Sequence, residues 1–362
     1  MKKITPFIGF IVVILSLVTT GCLDIFIAED NTIIYESHPT SILYTLSYGY
    51  KINCTGSGDY ELSYNCDEPS IISGSVLSIS SQDNSYTTKK MSTLNTIRNW
   101  NIKSDISKEY DLGITTIISC NSYLISDLNG KNALTISEIK NQYPDIVTKY
   151  TKAQSNETTV FIDPKDPDIQ DVAFDILNQT SSENSFIVAK ELFKWLKQNI
   201  DYQIHLGSSN VQPAKVTLQY QTGDCDDISF LYISLCRSIN IPARFIRGFL
   251  IEQTMATPHA WVEVFVGGSI GNMGWIPIEC AGISENVYTE VHQNFGVESA
   301  DHLRLFLDDG TDESLNTSLS DLSYKTYDSR KIQVKSYTEI TDYSILISNQ
   351  LVIDENGNRA YK

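Results

Sequence analysis

Between Gly223 and Glu279 the apolar residues switch from helical to alternating spacing, and this switch limits the folds open to the chain. Behind Gly223-Asp224-Cys225-Asp226-Asp227, the residues Ile228, Leu231, Tyr232, Leu235 and Ile239 recur at the period of a buried helix, which Pro242 stops. Arg244 to Ile251 then alternates as a strand, and His259 to Val266 alternates again. After the glycines at 267, 268, 271 and 274, Trp275 to Glu279 reads as the returning strand of a hairpin. A helix feeding directly into short antiparallel strands is an α+β arrangement. In it, Cys225 opens the helix and His259 opens a strand. His259, Trp261, Glu263 and Phe265 fall on one face of that strand; Ala260, Val262, Val264 and Val266 fall on the other.

Those positions have chemical meaning. A thiol is a weak nucleophile until it becomes a thiolate. A helix N-terminus favours negative charge at Cys225, and a neighbouring imidazolium would favour it further. Asp224, Asp226 and Asp227 oppose both effects and read better as helix-capping residues. The backbone N–H of Cys225 is placed to help form an oxyanion hole. His259 is the natural base. Glu279, on the strand returning beside it, is the candidate to orient the imidazole, while Glu263 sits four residues deeper on the strand of His259. Glu285, Asn286 and Asp301 stay open for that role. A lone buried cysteine is more often packing and a lone histidine more often structural; the order and placement of the three groups together make the argument.

The run TGDCDDISFLYISLCRSINIPARFIRGF, followed by PHAWVEVFV and GWIPIEC, resembles the transglutaminase-like superfamily, which includes papain-like peptidases and amidases. The helix that ends Trp195-Leu196-Lys197-Gln198-Asn199-Ile200-Asp201-Tyr202 resembles the one preceding this core. The resemblance implies a papain-like transglutaminase core, a Cys-bearing helix packed on an antiparallel sheet, with catalytic Cys225, His259 and Glu279. The superfamily usually has Asp where this chain has Glu279. The extra methylene changes the reach of the carboxylate, and a misplacement of about 1 Å can lower a rate on the order of a hundredfold.

Other segments frame the core. From about Asn31 to Leu128 short alternating runs are broken by Gly, Asn, Asp and Ser, the pattern of a β-sandwich. Thr135 and Glu138 form a capping-box sequence, and Asp166-Pro167-Asp168 starts another helix. Ser185 to Ile200 carries an apolar stripe of Val188, Leu192, Trp195 and Leu196. His302 to Leu307 alternates as a strand, and Tyr324 to Ile353 holds several more. The expected organisation is a signal peptide or membrane anchor at 1–21, a β-rich domain at 22–130 and a helical linker at 131–165. The transglutaminase-like domain follows at 166–282 and a β-containing C-terminal extension at 283–362. Lys2 and Lys3, the apolar run Ile4 to Val18, and Thr19-Thr20-Gly21-Cys22 look like a lipoprotein signal with Cys22 lipidated. A plain anchor is the alternative, and both place the bulk of the chain outside the cell membrane. Four Asn-x-Ser/Thr sites, from Asn53 to Asn316, permit glycosylation.

Seven cysteines leave five after Cys22 and Cys225, an odd number that requires at least one free thiol. Cys54 and Cys66 flank the Gly56-Ser57-Gly58 turn and are the expected disulfide. No C-x-x-C pair is present, so neither zinc nor any cofactor is expected. A formal charge of −17 argues against nucleic acid as a partner. The expected partner is a peptide or protein substrate of the cell envelope, cleaved or transferred through a thioester, with hydrolysis preferred over transamidation. The competing expectation is a catalytically silent transglutaminase-like module for surface binding or assembly.

Overall fold

The computed structural model describes residues 26–27, 32–91, 94–204, 211–318 and 322–362. Cys22 and the apolar leader before it lie outside the described residues. Among the described residues, no helix is long and apolar enough to cross a membrane.

The N-terminal β region consists of two facing antiparallel sheets. One contains Ile33–Thr55 paired with Lys108–Asn121, which in turn pairs with Gly74–Ser80. The other contains Tyr60–Asp67, Asn95–Ser104 and Thr87–Met91. Alternate residues of the two long strands, among them Tyr44, Leu46, Tyr48, Leu112 and Ile114, turn inward to meet Tyr60, Leu62, Tyr64 and Trp100. Tyr64 stacks on Trp100 with ring centroids 5.5 Å apart. The Gly56-to-Gly58 turn passes the chain from one sheet to the other, so the expected Cys54–Cys66 disulfide is not formed. Both are buried free thiols, and their backbone partners differ: Cys54 opposes Lys108, whereas Cys66 opposes Arg98. Flanking a turn places two residues in cross-strand register only when the turn joins paired strands.

Helices follow. Thr135 caps Ile136–Gln142 in a full capping box with Glu138. Pro144–Tyr150 comes next. Asp166 caps Pro167–Thr180 by accepting from the Asp168 and Ile169 N–H groups. The amphipathic Ser185–Asn199 helix buries Val188, Leu192 and Leu196. The Cys225–Ser238 helix is buried along nearly its whole length. It packs between those helices and the sheet face bearing Ala260, Val262 and Val264. Phe230 on this helix meets Phe245 with centroids 4.9 Å apart; a buried side chain of this size stabilises by about 1.5–3 kcal/mol. Arg237 ties the far end of the helix to the next strand through the Ala243 carbonyl, 2.9 Å from Nε and 2.7 Å from Nη2.

The core sheet is antiparallel, in the order Trp275–Ile278, Ala256–Phe265, Ala243–Ile251, His302–Leu307. Its far end touches the sandwich: Phe249, Ile251, Ala256, Leu303 and Leu305 join the apolar cluster of the β region. The chain then returns to that region. Leu322–Thr326 pairs with Tyr60–Asp67, and Lys331–Ile353 pairs with Ile33–Thr55 along most of its length. The C-terminal strands therefore complete both N-terminal sheets.

Candidate active site

His259 lies in the strand Ala256–Phe265, opposite Gly248. A Cβ at Gly248 would run into the Leu303 carbonyl and lie 3.0 Å from the Trp261 ring. Glycine there lets three strands and the indole close up around His259. Cys225 occupies the first turn of its helix, with Asp224 as N-cap. Asp227, at the third helical position, accepts from the Asp224 N–H at 3.3 Å and from the Gln212 backbone and side chain at 2.6 and 2.8 Å. Of the three aspartates expected to cap the helix, Asp224 is the N-cap and Asp227 closes the capping box and anchors the segment before Ala214–Tyr220 as well, while Asp226 Oδ1 accepts from the Asp227 N–H at 3.2 Å.

The Cys225 sulfur accepts from the Ala260 backbone N–H, the residue next to His259. Helix start and histidine strand thus meet at the site. Burial, with Asp226 and Asp224 beside it, nevertheless pushes the Cys225 thiol up to about 12. At neutral pH such a thiol keeps its proton. Burial and the neighbouring Asp224 also push Asp226 up to about 8, so it holds a proton at neutral pH.

Glu279 follows the returning strand, whose register with the histidine strand runs to Val262↔Ile278. Its Oε2 accepts from His259 Nε2 at 2.6 Å. This leaves Nδ1 as the ring nitrogen available on the other edge of the imidazole. Oε1 accepts from the Ala281 N–H at 2.6 Å. A second histidine, read from the sequence only as the start of a strand, shares the same oxygen: His302 Nε2 lies 2.8 Å from Glu279 Oε2, and His302 Nδ1 lies 2.8 Å from Asp301 Oδ1. Burial favours a neutral Glu279, but His259 and His302 outweigh it and hold the carboxyl well below the usual range. Burial likewise disfavours charge on His302, yet the bonds to Asp301 and Glu279 prevail and raise it to about 10.

Trp261 packs against both histidines, whose rings also meet each other at 5.5 Å. It stacks on His259 at 5.9 Å and meets His302 edge-on at 5.0 Å. Its Nε1 donates to Glu298 at 2.9 Å. Arg304 binds both Glu298 (2.5 Å) and Glu263 (2.6 Å), and Arg244 binds Glu263 at 2.5 Å. Glu263 is therefore occupied by two arginines and does not reach His259. Asn286 caps the helix Val287–Asn294, and Glu285 is exposed. Asp301 bonds His302. Tyr202 also borders the site. Its strand residue pairs with Gly223, and burial with the charges of Cys225, Asp224 and Glu279 raises its phenol to about 12.

His302 had a legible signal, because it opens the alternating run His302 to Leu307 as His259 opens its own. Tyr202 carried none beyond its place after the preceding helix. His259, Glu279 and His302 bring one donor atom each within 4.8 Å of one another. The donors are spent on each other and on Asp301, so the cluster is bridged by protons.

Residues 171–280 match the family model of the transglutaminase-like superfamily. This segment of the chain belongs to the transglutaminase-like superfamily. The transglutaminase-like core so identified holds Cys225, His259 and Glu279, while His302 lies beyond the matched residues. Among solved structures, a proposed cysteine protease from Cytophaga hutchinsonii is similar over 90% of this chain and 99% of its own, with 14% identity and a TM-score of 0.54. That likeness in fold extends past the transglutaminase-like core into the β region. The periplasmic domain of TgpA from Pseudomonas aeruginosa gives 10% identity, 64% and 87% coverage and a TM-score of 0.34. Red sea bream transglutaminase gives 9% identity, 70% and 48% coverage and a TM-score of 0.29. No curated protein matches.

Proposed function

We propose that the chain is a cysteine-dependent hydrolase or acyl transferase acting on peptide or amide bonds, with Cys225 as nucleophile, His259 as base and Glu279 as the group that orients it. The observation that carries this reading is the bond from His259 Nε2 to Glu279 Oε2 at 2.6 Å, beside a cysteine sulfur bound to the Ala260 N–H. It turns the imidazole so that Nδ1 serves the cysteine side. Because Cys225 rests as a thiol, His259 removes its proton during attack on the carbonyl carbon. The backbone N–H of Cys225 stabilises the developing oxyanion. Collapse breaks the C–N bond, His259 passes its proton to the departing amine, and a thioester remains on Cys225. Water then gives hydrolysis, the preferred outcome; a second amine gives transamidation.

Wild type and Cys225→Ala offered peptides, isopeptides and a glutamine–amine pair test this. Product from wild type alone identifies the bond and the acceptor together. Identical behaviour of the two proteins sinks the enzyme reading.

The raised Cys225 thiol and its acidic neighbours favour one other reading, a catalytically silent module for surface binding or assembly. Under that reading Cys225 reacts with iodoacetamide no faster than buried Cys236, and His259→Ala leaves the rate unchanged. The proposed location is the outer face of a cell membrane, held through lipidated Cys22 or the preceding apolar run, with envelope peptides as substrates. Mass analysis of the mature N-terminus checks this: a diacylglycerol on Cys22 supports the lipid anchor, and an unmodified, uncleaved Met1 excludes it.

A further inference from the structure

The Glu279 side chain has three rotatable bonds, and its reach must be fixed if it is to hold one imidazole in one orientation. The bond from Ala281 reaches only Oε1. The oxygen that serves His259 is fixed from the opposite side by His302 Nε2, at 2.8 Å. His302 in turn has Nδ1 on Asp301 at 2.8 Å. A carboxylate only accepts hydrogen bonds, so a histidine bonded to two carboxylates through both nitrogens carries both protons and is an imidazolium. His302 is 9% exposed, whereas Asp301 is half exposed. A buried cation is thus placed behind the group that orients the candidate base, with its own counterion at the surface.

We propose that His302, held as an imidazolium by Asp301, is the positioning residue that lets a glutamate serve at position 279. This rests on the reading of Cys225, His259 and Glu279 as the active groups. His302 acts in two ways. It pins Oε2 at the place His259 requires, so the long side chain has one orientation. Its charge also satisfies part of the negative charge on Glu279, so Glu279 draws a second proton onto His259 less strongly.

The groups around this device allow a clean reading. Glu279 and His259 face His302 from the core side, and Asp301 faces it from the turn just before its strand. Tyr44, Cys120, Tyr343 and Tyr361 lie around Asp301, and burial raises all four, so they stay neutral through the physiological range. On the far side of His259, Cys225 is flanked by Asp224, Asp226 and the Tyr202 phenol.

The test uses the full chain with ring-labelled histidines, together with the rate at which iodoacetamide alkylates Cys225, located by peptide mass. His302→Gln keeps a neutral donor, while His302→Leu removes both donor and charge. With the rings 5.5 Å apart, losing the charge in His302→Gln raises the His259 titration midpoint by about one pH unit or more. The Cys225 rate in this variant stays within about tenfold of wild type at neutral pH. His302→Leu lowers the rate to that of His259→Ala. Asp301→Asn, altered at a half-exposed position, gives a smaller upward shift and covers the case in which His302→Leu does not fold. An unmoved His259 midpoint in both His302→Gln and Asp301→Asn overturns the proposal. So does a moved midpoint with a wild-type Cys225 rate in His302→Leu, because the charge would then position nothing. A separate result, His259→Ala leaving alkylation at the wild-type rate, removes the enzyme reading and this inference with it.

Discussion

Raising the pH should unload the His302 proton and weaken the fold, and the sign and size follow from the site. His302 gains its partners only on folding, which moves its proton affinity from the ordinary 6.5 to about 10. A group raised in this way contributes its full stabilisation below pH 6.5 and loses it as pH climbs through about 10. Each pH unit of difference corresponds to about 1.4 kcal/mol, so the contribution is at most about 5 kcal/mol. Two neighbours fall in the same direction. Asp226, raised from 3.8 to about 8, contributes its loss between those values. Cys225, raised from 9.0 to about 12, does so only above pH 9. The loss due to His302 is therefore read as a difference. Urea denaturation of wild type and His302→Gln at steps from pH 6 to 10 gives two stability curves. The wild type should lie above the variant at pH 6, and the gap should close by several kcal/mol by pH 10. Parallel curves would refute the imidazolium, and with it the assignment of both His302 protons.

Arg304→Met should destabilise the chain by about 3–5 kcal/mol in chemical denaturation, because it leaves Glu298 and one oxygen of Glu263 buried without their cation. Glu279→Gln should fold normally and lower kcat/KM on the order of a thousandfold, since a neutral amide cannot support the imidazolium formed during attack. Glu279→Asp, although it restores the residue implied by the resemblance, should lower kcat on the order of a hundredfold, because the shorter side chain cannot meet His259 and His302 together. Peptide maps with and without reductant should coincide over Cys54 and Cys66, both of which are free thiols.

The core was legible because its signals are local. The period of Ile228 to Ile239, the alternation after His259 and the glycines of the hairpin each act within one element. The resulting helix and strands appear at Cys225–Ser238, Ala256–Phe265 and Trp275–Ile278. The β region was legible as a class of structure and illegible in its pairing. Lys331–Ile353 exposes Val334, Ile345, Leu346 and Ile347 to solvent, so no clean alternation marks which face is inside. Its partner strand lies almost three hundred residues away (Lys331 opposes Thr55), and only closure of the sheet reveals it. His302 lies only 23 residues beyond Glu279, and its alternating run marked a strand, but no spacing rule brings its ring to that carboxylate.

The thiol of Cys225 and the position of His302 bear on one question, the charge state of the candidate pair at rest. A helix N-terminus alone would suggest a thiolate facing an imidazolium. The structure instead surrounds Cys225 with Asp224 and Asp226, pushing its thiol up, and places a cation behind Glu279. The first of these disfavours the thiolate, and the second holds the orienting carboxylate charged. The resting pair therefore keeps its thiol protonated. In such a site the nucleophile forms only when a carbonyl is present to accept it. The negative charge then moves to the oxyanion, while Glu279 supports the proton gained by His259. A cysteine held this way resists alkylation and oxidation between turnovers. Slow reaction of wild-type Cys225 with iodoacetamide is therefore compatible with an active enzyme, provided that His259→Ala makes it slower still.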